Sequence, residues 1–316
     1  VPGVKINLPA LTEKDIKDIT EGIKKGFDYI AASFVRKASD VIEIRNLLDK
    51  NGGEKIKIIS KIENREGIDN FDEILEVSDG IMVARGDMGV EIPMEEVPIE
   101  QKIFIKKCMD AGKPVITATQ MLESMIHNPR ATRAEVSDVA NAVYDMTEAV
   151  MLSGECALGK YPVECVKVMD KISKAVEKKL LYWKRFNRRT IKPDSSDLEK
   201  SIAYTTCVTA EQMKAQAIVA YTHKGDSIRK LTGLRPGCPI LAITDDKKNY
   251  YQLAASFNVY PIYVNEPTIS QTISTGLEVF KNTGILEKGD VVILSGGDKV
   301  LDKVTKSKMI GAYVKI

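Results

Sequence analysis

A set of polar residues stands directly after short apolar runs: Ser33, Lys61 with Glu63, Asp87, Thr119 and Ser153. In parallel α/β sheets, chemistry collects where strands end and loops begin. Neighbouring strands lie about 4.8 Å apart, so side chains leaving consecutive strand ends can converge on one mouth. There Glu63 and Asp87 would repel each other unless a cation sat between them. A few carboxylates completed by substrate oxygens and water is the usual way magnesium is held. Both residues read equally well as ordinary acids at helix starts. Lys61 shifts that balance, because residues two apart on a strand share a face, so cation and carboxylate point into one cavity. A lysine beside a divalent cation suits a site that neutralises a phosphoryl group in flight. A plain lysine–carboxylate salt bridge is the competing account.

Arg85-Gly86-Asp87-Met88-Gly89 adds a backbone argument. Glycines flanking an acid, followed by Ile92-Pro93-Met94-Glu95-Glu96, predict a sharp turn into a short helix, and exposed amides at such a start bind carboxylates or phosphates. Arg-Gly-Asp also occurs in adhesion ligands, but here it follows a buried-type strand. Further on, Tyr221-Thr222-His223-Lys224-Gly225-Asp226-Ser227 follows a strand and opens a helix, as a small phosphate nest does. A plain strand-to-helix connection fits that segment equally well.

The elements that must position these residues are legible as a rhythm. Apolar, β-branched runs recur at residues 28–34, 57–62, 80–84, 114–119 and 148–152, with helix-like stretches between, as in successive βα units on a parallel sheet. Thr12-Glu13-Lys14-Asp15 and Thr132-Arg133-Ala134-Glu135 have the form of capped helix starts. Five strands cannot close a (β/α)8 barrel, which needs eight. Either the sheet is open or the sequence starts inside a barrel. Trp183 to Lys192, with Arg185, Arg188 and Arg189, reads as a basic, solvated linker. A second, smaller α/β unit begins at Ser196-Asp197-Leu198-Glu199, with strands at residues 217–221, 239–244, 259–264 and 290–294, and a last one within Met309–Ile316.

Composition narrows the function classes. The 316 residues are 44% hydrophobic and 28% charged, enough for two cores, and a net charge of +2 without long single-sign blocks gives no reason to expect nucleic acid or a membrane surface. Cys108, Cys156, Cys165, Cys207 and Cys238 form no CxxC pair, which argues against a disulfide framework and fits a reducing cytoplasm. With only His127 and His223, His-rich zinc sites are excluded and a Ser-His-Asp triad is disfavoured. No run of about 18 apolar residues predicts a membrane span.

Several longer motifs resemble one family. Ile59-Ser60-Lys61-Ile62-Glu63-Asn64 through Gly67 resembles the active-site signature of the pyruvate kinases, and residues 78–89 resemble their metal-binding loop. Residues 118–125 (Ala118-Thr119-Gln120-Met121 onward), 129–135, 137–142 and 151–155 (Met151-Leu152-Ser153-Gly154-Glu155) are similar to later family segments in the family's order. The resemblance implies an α/β chain. Residues 1–179 would be a partial (β/α)8 TIM barrel, strands 4–8 of the family, and residues 180–316 a smaller α/β C-terminal regulatory domain. It also implies transfer of a phosphoryl group from phosphoenolpyruvate to ADP, giving pyruvate and ATP in glycolysis. Glu63 and Asp87 would hold Mg2+ or Mn2+, and Lys61 would stabilise the phosphoryl group. The amides of Gly86 and Asp87, with Thr119 and neighbouring Arg85, would bind substrate. Thr119 and Ser153 would lie on the route that protonates the enolate. Ser33 would lie near the K+ site.

Val1–Pro9 resembles the point where family chains return from a lid domain, so counterparts of the first three strands and the lid are expected to be missing. With them would go the phosphate-gripping arginine, most K+ ligands and part of the nucleotide pocket, leaving the chain inactive alone. A homotetramer is implied for the complete protein. The effector loop, Thr222, Lys224, Gly225 and Ser227, departs from the family's pattern at Lys224 and Asp226, and residues 294–299 lack the family's Trp and Arg. Activation by fructose bisphosphate is therefore not expected. Met146 and Cys156 also depart from the family. The competing readings are another magnesium-dependent enolate barrel, such as a phosphoenolpyruvate-using lyase or mutase, and a non-catalytic effector-binding or structural fragment.

Overall fold

In the computed structural model the chain divides into two compact units, Val1–Leu180 and Leu181–Ile316. Residues 11–189, 197–296 and 312–315 are described. The expectations for Val1–Pro9, for the Ser196 cap and for positions 297–299 and 309–311 lie outside them.

The first unit alternates strand and helix. Helix α1 (Glu13–Lys24) leads to β1 (Tyr29–Ala32), then α2 (Ala38–Lys50), β2 (Lys57–Ile62), α3 (Arg65–Asp69) and α4 (Phe71–Val77). There follow β3 (Gly80–Ala84), α5 (Arg85–Glu91), α6 (Val97–Ala111), β4 (Val115–Ala118), α7 (Arg133–Tyr144), β5 (Ala149–Val150), α8 (Gly154–Ala157) and α9 (Pro162–Glu177). The strands lie parallel in the order β1-β2-β3-β4-β5, so every strand end predicted to carry chemistry faces the same way. The sheet is open among the described residues, as the strand count requires. Every residue of central β3 is buried, the signature of a strand covered on both faces.

Local signals set the boundaries. Thr12 and Thr132 each accept from the backbone N–H three residues on, while Asp15 and Glu135 return the bond, so both predicted capping boxes form. Helix α6 stops at Gly112, whose φ of 68° is open to glycine at little cost. Inside the sheet-covering layer, Phe71 stacks on Phe104 with ring centroids 4.1 Å apart. At the base, Asp79 accepts from Arg45 Nη2 (2.8 Å), Lys57 Nζ (2.9 Å) and the Ile58 N–H (2.9 Å). That carboxylate fastens α2, β2 and β3 at the end away from the mouth.

The second unit contains α10 (Tyr182–Arg188), α11 (Leu198–Gln212), β6 (Ala217–Tyr221), α12 (Asp226–Leu234), β7 (Ile240–Thr244), α13 (Lys247–Leu253), β8 (Val259–Tyr263), α14 (Ile269–Asn282), β9 (Val291–Gly296) and β10 (Ala312–Lys315). The sheet order is β10-β9-β6-β7-β8, parallel except for antiparallel β10. Asp197 caps α11 by accepting from the Lys200 N–H.

The linker expectation is corrected. Residues 182–188 form a helix whose Phe186 is buried and whose Trp183 packs against Gly237, where an added Cβ would come within 2.5 Å of Trp183 Nε1. Tyr182, Trp183 and Phe186 at helical spacing decide the outcome by burying aromatic area, while Arg188 stays exposed and Arg189 donates to the Gly233 carbonyl at 2.7 Å.

Phe104→Ala should destabilise the first unit by about 3–5 kcal/mol, the cost of an aromatic deleted from a packed core. Urea unfolding followed by circular dichroism should show the loss. The fluorescence transition of Trp183, which sits in the second unit, should stay where it is.

Candidate active site

Lys61 and Glu63 leave the C-terminal end of β2 on one face, and their charges meet: Lys61 Nζ lies 2.6 Å from Glu63 Oε1. Lys61 also donates to Ser33 Oγ, beyond the end of β1, at 3.0 Å. The Glu63 carboxylate is completely buried, and its Oε2 accepts a short hydrogen bond from the Phe34 N–H. Oε1 is paired with the Lys61 ammonium. Burial pushes the Glu63 carboxyl above its ordinary value, and the negative charge of Asp87 adds in the same direction; the Lys61 and Phe34 contacts offset part of this.

The loop after β3 differs from the expected turn. Helix α5 starts at Arg85 directly after the strand, and Asp87 sits exposed in its first turn. The Gly86 N–H donates to Thr119 Oγ1 at 2.7 Å, and the Thr119 hydroxyl donates to the Ala118 carbonyl at 2.7 Å. An added Cβ at Gly86 would lie 3.3 Å from Thr119 Oγ1, so glycine permits this approach. Thr119 and Gln120 have φ of 68° and 55°. A β-branched residue in the left-handed region costs on the order of 1–3 kcal/mol and persists only where its surroundings hold it.

Arg85 is placed differently from the expectation that it meets substrate. Its Nε donates to the Ala118 carbonyl (3.2 Å) and Nη1 to Asp138 Oδ1 (2.7 Å) and Gln101 Oε1 (3.4 Å). Its Nη2 donates to the Thr119 carbonyl (2.7 Å) and Met121 Sδ (2.8 Å). At the end of β5, the Ser153 N–H donates to Glu155 Oε2 (2.8 Å), while Glu155 Oε1 accepts from the Leu122 N–H (3.0 Å). Fully buried Glu155 thus ties the β4 and β5 loops together, leaving Ser153 Oγ buried without a partner. Sequence reasoning did not single out Asp138, Gln101 or Glu155. Asp138 and Glu155 lay inside motifs already quoted, and acids beside buried strand ends were the available signal.

Two carboxylates at neighbouring strand ends, one fully buried and one exposed, are a donor set of the kind a hard divalent cation completes with water and substrate oxygens. Among the described residues no cluster of three or more His, Cys, Asp or Glu side chains is arranged to hold a metal, so the pair stands alone.

In the second unit, the Gly225 N–H (φ 87°) donates to Thr222 Oγ1 at 2.8 Å and caps α12. Ser227 Oγ, Arg229 Nη2 and Asn249 Oδ1 are buried there without partners. Asp226 is drawn onto Arg229 Nη1 at 3.2 Å, and Lys224 is exposed with its carbonyl accepting from the same nitrogen.

Comparison with known proteins now decides the family. A family model described as pyruvate kinase, barrel domain, matches residues 1–166, and one described as pyruvate kinase, alpha/beta domain, matches residues 200–308. The chain belongs to the pyruvate kinase family. It is 49% identical over 300 residues to a pyruvate kinase of Clostridium acetobutylicum, covering 94% of this chain and 63% of that protein. It is likewise 49% identical over 314 residues to one of Staphylococcus haemolyticus (98% and 53%) and over 300 residues to one of Geobacillus stearothermophilus (94% and 51%). The chain thus spans roughly half to three-fifths of the length of these pyruvate kinases. The partial barrel followed by an α/β domain is the family's arrangement over the matched span. No helix among the described residues is long and apolar enough to cross a membrane.

Glu63→Gln should leave the metal-free protein at least as stable as the unsubstituted chain at pH 8, despite the lost ion pair. The folded-state pKa lies above the ordinary 4.5, so the unfolded state ionises first and stability falls as pH rises from 4.5 through the raised folded value. Thermal melts across that window should show the slope reduced in the variant.

Proposed function

We propose that the mouth formed by β2, β3 and β4 is the phosphoryl-transfer site of a pyruvate kinase, taking phosphoenolpyruvate and ADP to pyruvate and ATP. The observation that carries this reading is the fully buried Glu63 carboxylate at the mouth, held 2.6 Å from the Lys61 ammonium, with Asp87 in the first turn of the helix that follows the next strand. Glu63 and Asp87 would hold Mg2+ or Mn2+. When bound, the ion supplies positive charge to phosphoryl and enolate oxygens. Lys61 neutralises the phosphoryl group between donor and acceptor, and its ion pair with Glu63 keeps its ammonium at the mouth. The Gly86 and Asp87 amides, with Thr119, take the substrate carboxylate, which replaces Thr119 Oγ1 as the acceptor at Gly86. Thr119 and Ser153 carry hydroxyls suited to delivering the proton that turns enolate into pyruvate. The Ser33 contact with Lys61 fits a place beside a monovalent cation, K+ in this reading. The assignment of the protein to the cytoplasm and to a homotetramer belongs to the same proposal.

The loop capping α12 is proposed as a site for a small phosphorylated effector, on the strength of the unpartnered Ser227 Oγ and Arg229 Nη2. Thr222, Lys224 and Gly225 complete it, and Asp226 on Arg229 argues for a ligand other than fructose bisphosphate. Arg229→Ala should abolish any thermal stabilisation given by such a ligand, leaving the melting point of the free protein within a few degrees.

The test of function has two parts. Titrating Mn2+ with oxalate, an enolate analogue, against this chain should show linked binding that Glu63→Gln and Asp87→Asn remove; a purely structural fragment would show none. With the chain inside a complete barrel, pyruvate release should require ADP and fall about a hundredfold to a thousandfold in Lys61→Ala. Pyruvate release independent of ADP would instead identify a lyase or mutase.

A further inference from the structure

Arg85 is the side chain at the mouth whose use differs most from what its position suggests. A guanidinium has five N–H donors in a fixed fork, and here all five are directed at protein acceptors. They reach the Ala118 and Thr119 carbonyls, Met121 Sδ, Gln101 Oε1 and Asp138 Oδ1. None is left to offer a substrate. The side chain is nine-tenths covered, at 11% exposure. Two of its bonds fall on the carbonyls on either side of the Thr119 α-carbon, where the backbone turns left-handed. The next residue, Gly86, holds the same threonine by its hydroxyl. Adjacent residues at the start of α5 therefore grip Thr119 twice, by backbone and by side chain.

We propose that Arg85, braced by Asp138, is a positioning residue that holds the strained Thr119 backbone and so sets the Thr119 hydroxyl over the Gly86 amide. Asp138 comes from α7, on the far side of β4, and supplies the only charged acceptor Arg85 has among the described residues. Its carboxylate fixes the plane of the fork, from which the bonds to the two carbonyls follow. A lysine could satisfy one of these partners but cannot span two carbonyls and a carboxylate together. The inference rests on the proposed function, since it is the role of Thr119 at the substrate that gives the clamp its consequence.

The experiment uses Arg85→Lys and Asp138→Asn in the protein at its full natural length, with two readouts. The first needs no activity: hydrogen exchange of the Gly86 amide in glycine-labelled protein. Gly53, whose N–H donates to the Leu48 carbonyl at 2.8 Å, serves as the internal reference. Arg85→Lys should lower Gly86 protection by about tenfold or more with Gly53 unchanged, local opening without global loss. The second is kinetic. In Arg85→Lys kcat should fall about a hundredfold, as misplacement of a reacting group does, while Mn2+ affinity at Glu63 and Asp87 stays within about twofold. Asp138→Asn should fall between. Wild-type Gly86 protection in Arg85→Lys would overturn the clamp. So would a raised KM for phosphoenolpyruvate with kcat retained, which would make Arg85 a substrate ligand. Equal loss of protection at Gly53 and of metal affinity would reduce Arg85 to general stability and overturn it too. If the unsubstituted protein shows no turnover, the proposed function fails, and Gly86 exchange still decides whether Arg85 holds Thr119.

Discussion

Keeping a carboxylate fully buried at the end of β2 is the constraint on which the first unit is organised. An isolated charge taken out of water costs several kcal/mol, so the fold must bring it partners. Lys61 arrives through the strand's own two-residue period. The Phe34 N–H arrives through a distortion, because Phe34 turns left-handed just past β1, with φ of 53° and its ring largely exposed at 61%. An apolar side chain left in solvent and a strained backbone are both unfavourable locally. They follow from aiming one amide at Glu63. Even so, burial leaves the carboxyl above its ordinary value.

Strain and satisfaction are distributed unevenly between the two ends of the first sheet. At the base, Asp79 receives two cations and an amide, and Thr117 and Thr147 share a hydrogen bond of 2.9 Å. Polar groups there are matched with one another. At the mouth, Phe34, Thr119 and Gln120 carry left-handed backbone, against Met146 (φ 74°) at the base, and Ser153 keeps a buried hydroxyl without a partner. Backbone strain gathers where the surroundings over-determine it, and ligand sites are the usual place. Parallel sheets of this kind divide stability from chemistry by strand end.

Much of this was legible in the residues. The two-residue period of a strand predicts that Lys61 and Glu63 share a face, and the ion pair between them is that prediction in distances. The capping boxes at Thr12 and Thr132 were equally readable, since both partners lie within one turn. What stayed hidden is non-local. The fork of Arg85 depends on α6 and α7 packing beside β4, and no spacing rule connects residue 85 to residue 138. Residues 182–188 misled because charge was weighed and aromatic periodicity was not. Two glycines suggest a loop at Arg85–Gly89, whereas the helix starts at Arg85 itself, with the Gly86 N–H bonded to Thr119.

Buried polar groups follow the same pattern in both units. Leaving a buried donor or acceptor unmatched costs about 1–3 kcal/mol, and native folds keep few such groups. Here Ser153 Oγ lies at the mouth of the first sheet, and Ser227 Oγ, Arg229 Nη2 and Asn249 Oδ1 gather where β6 and β7 give way to α12 and α13. In both units these atoms sit past the C-terminal ends of parallel strands, where helix starts add exposed amides. A protein selected for stability alone would match these groups with one another, as it has at Asp79. That such atoms gather past the C-terminal ends of parallel strands in both units places them where ligands bind in folds of this kind.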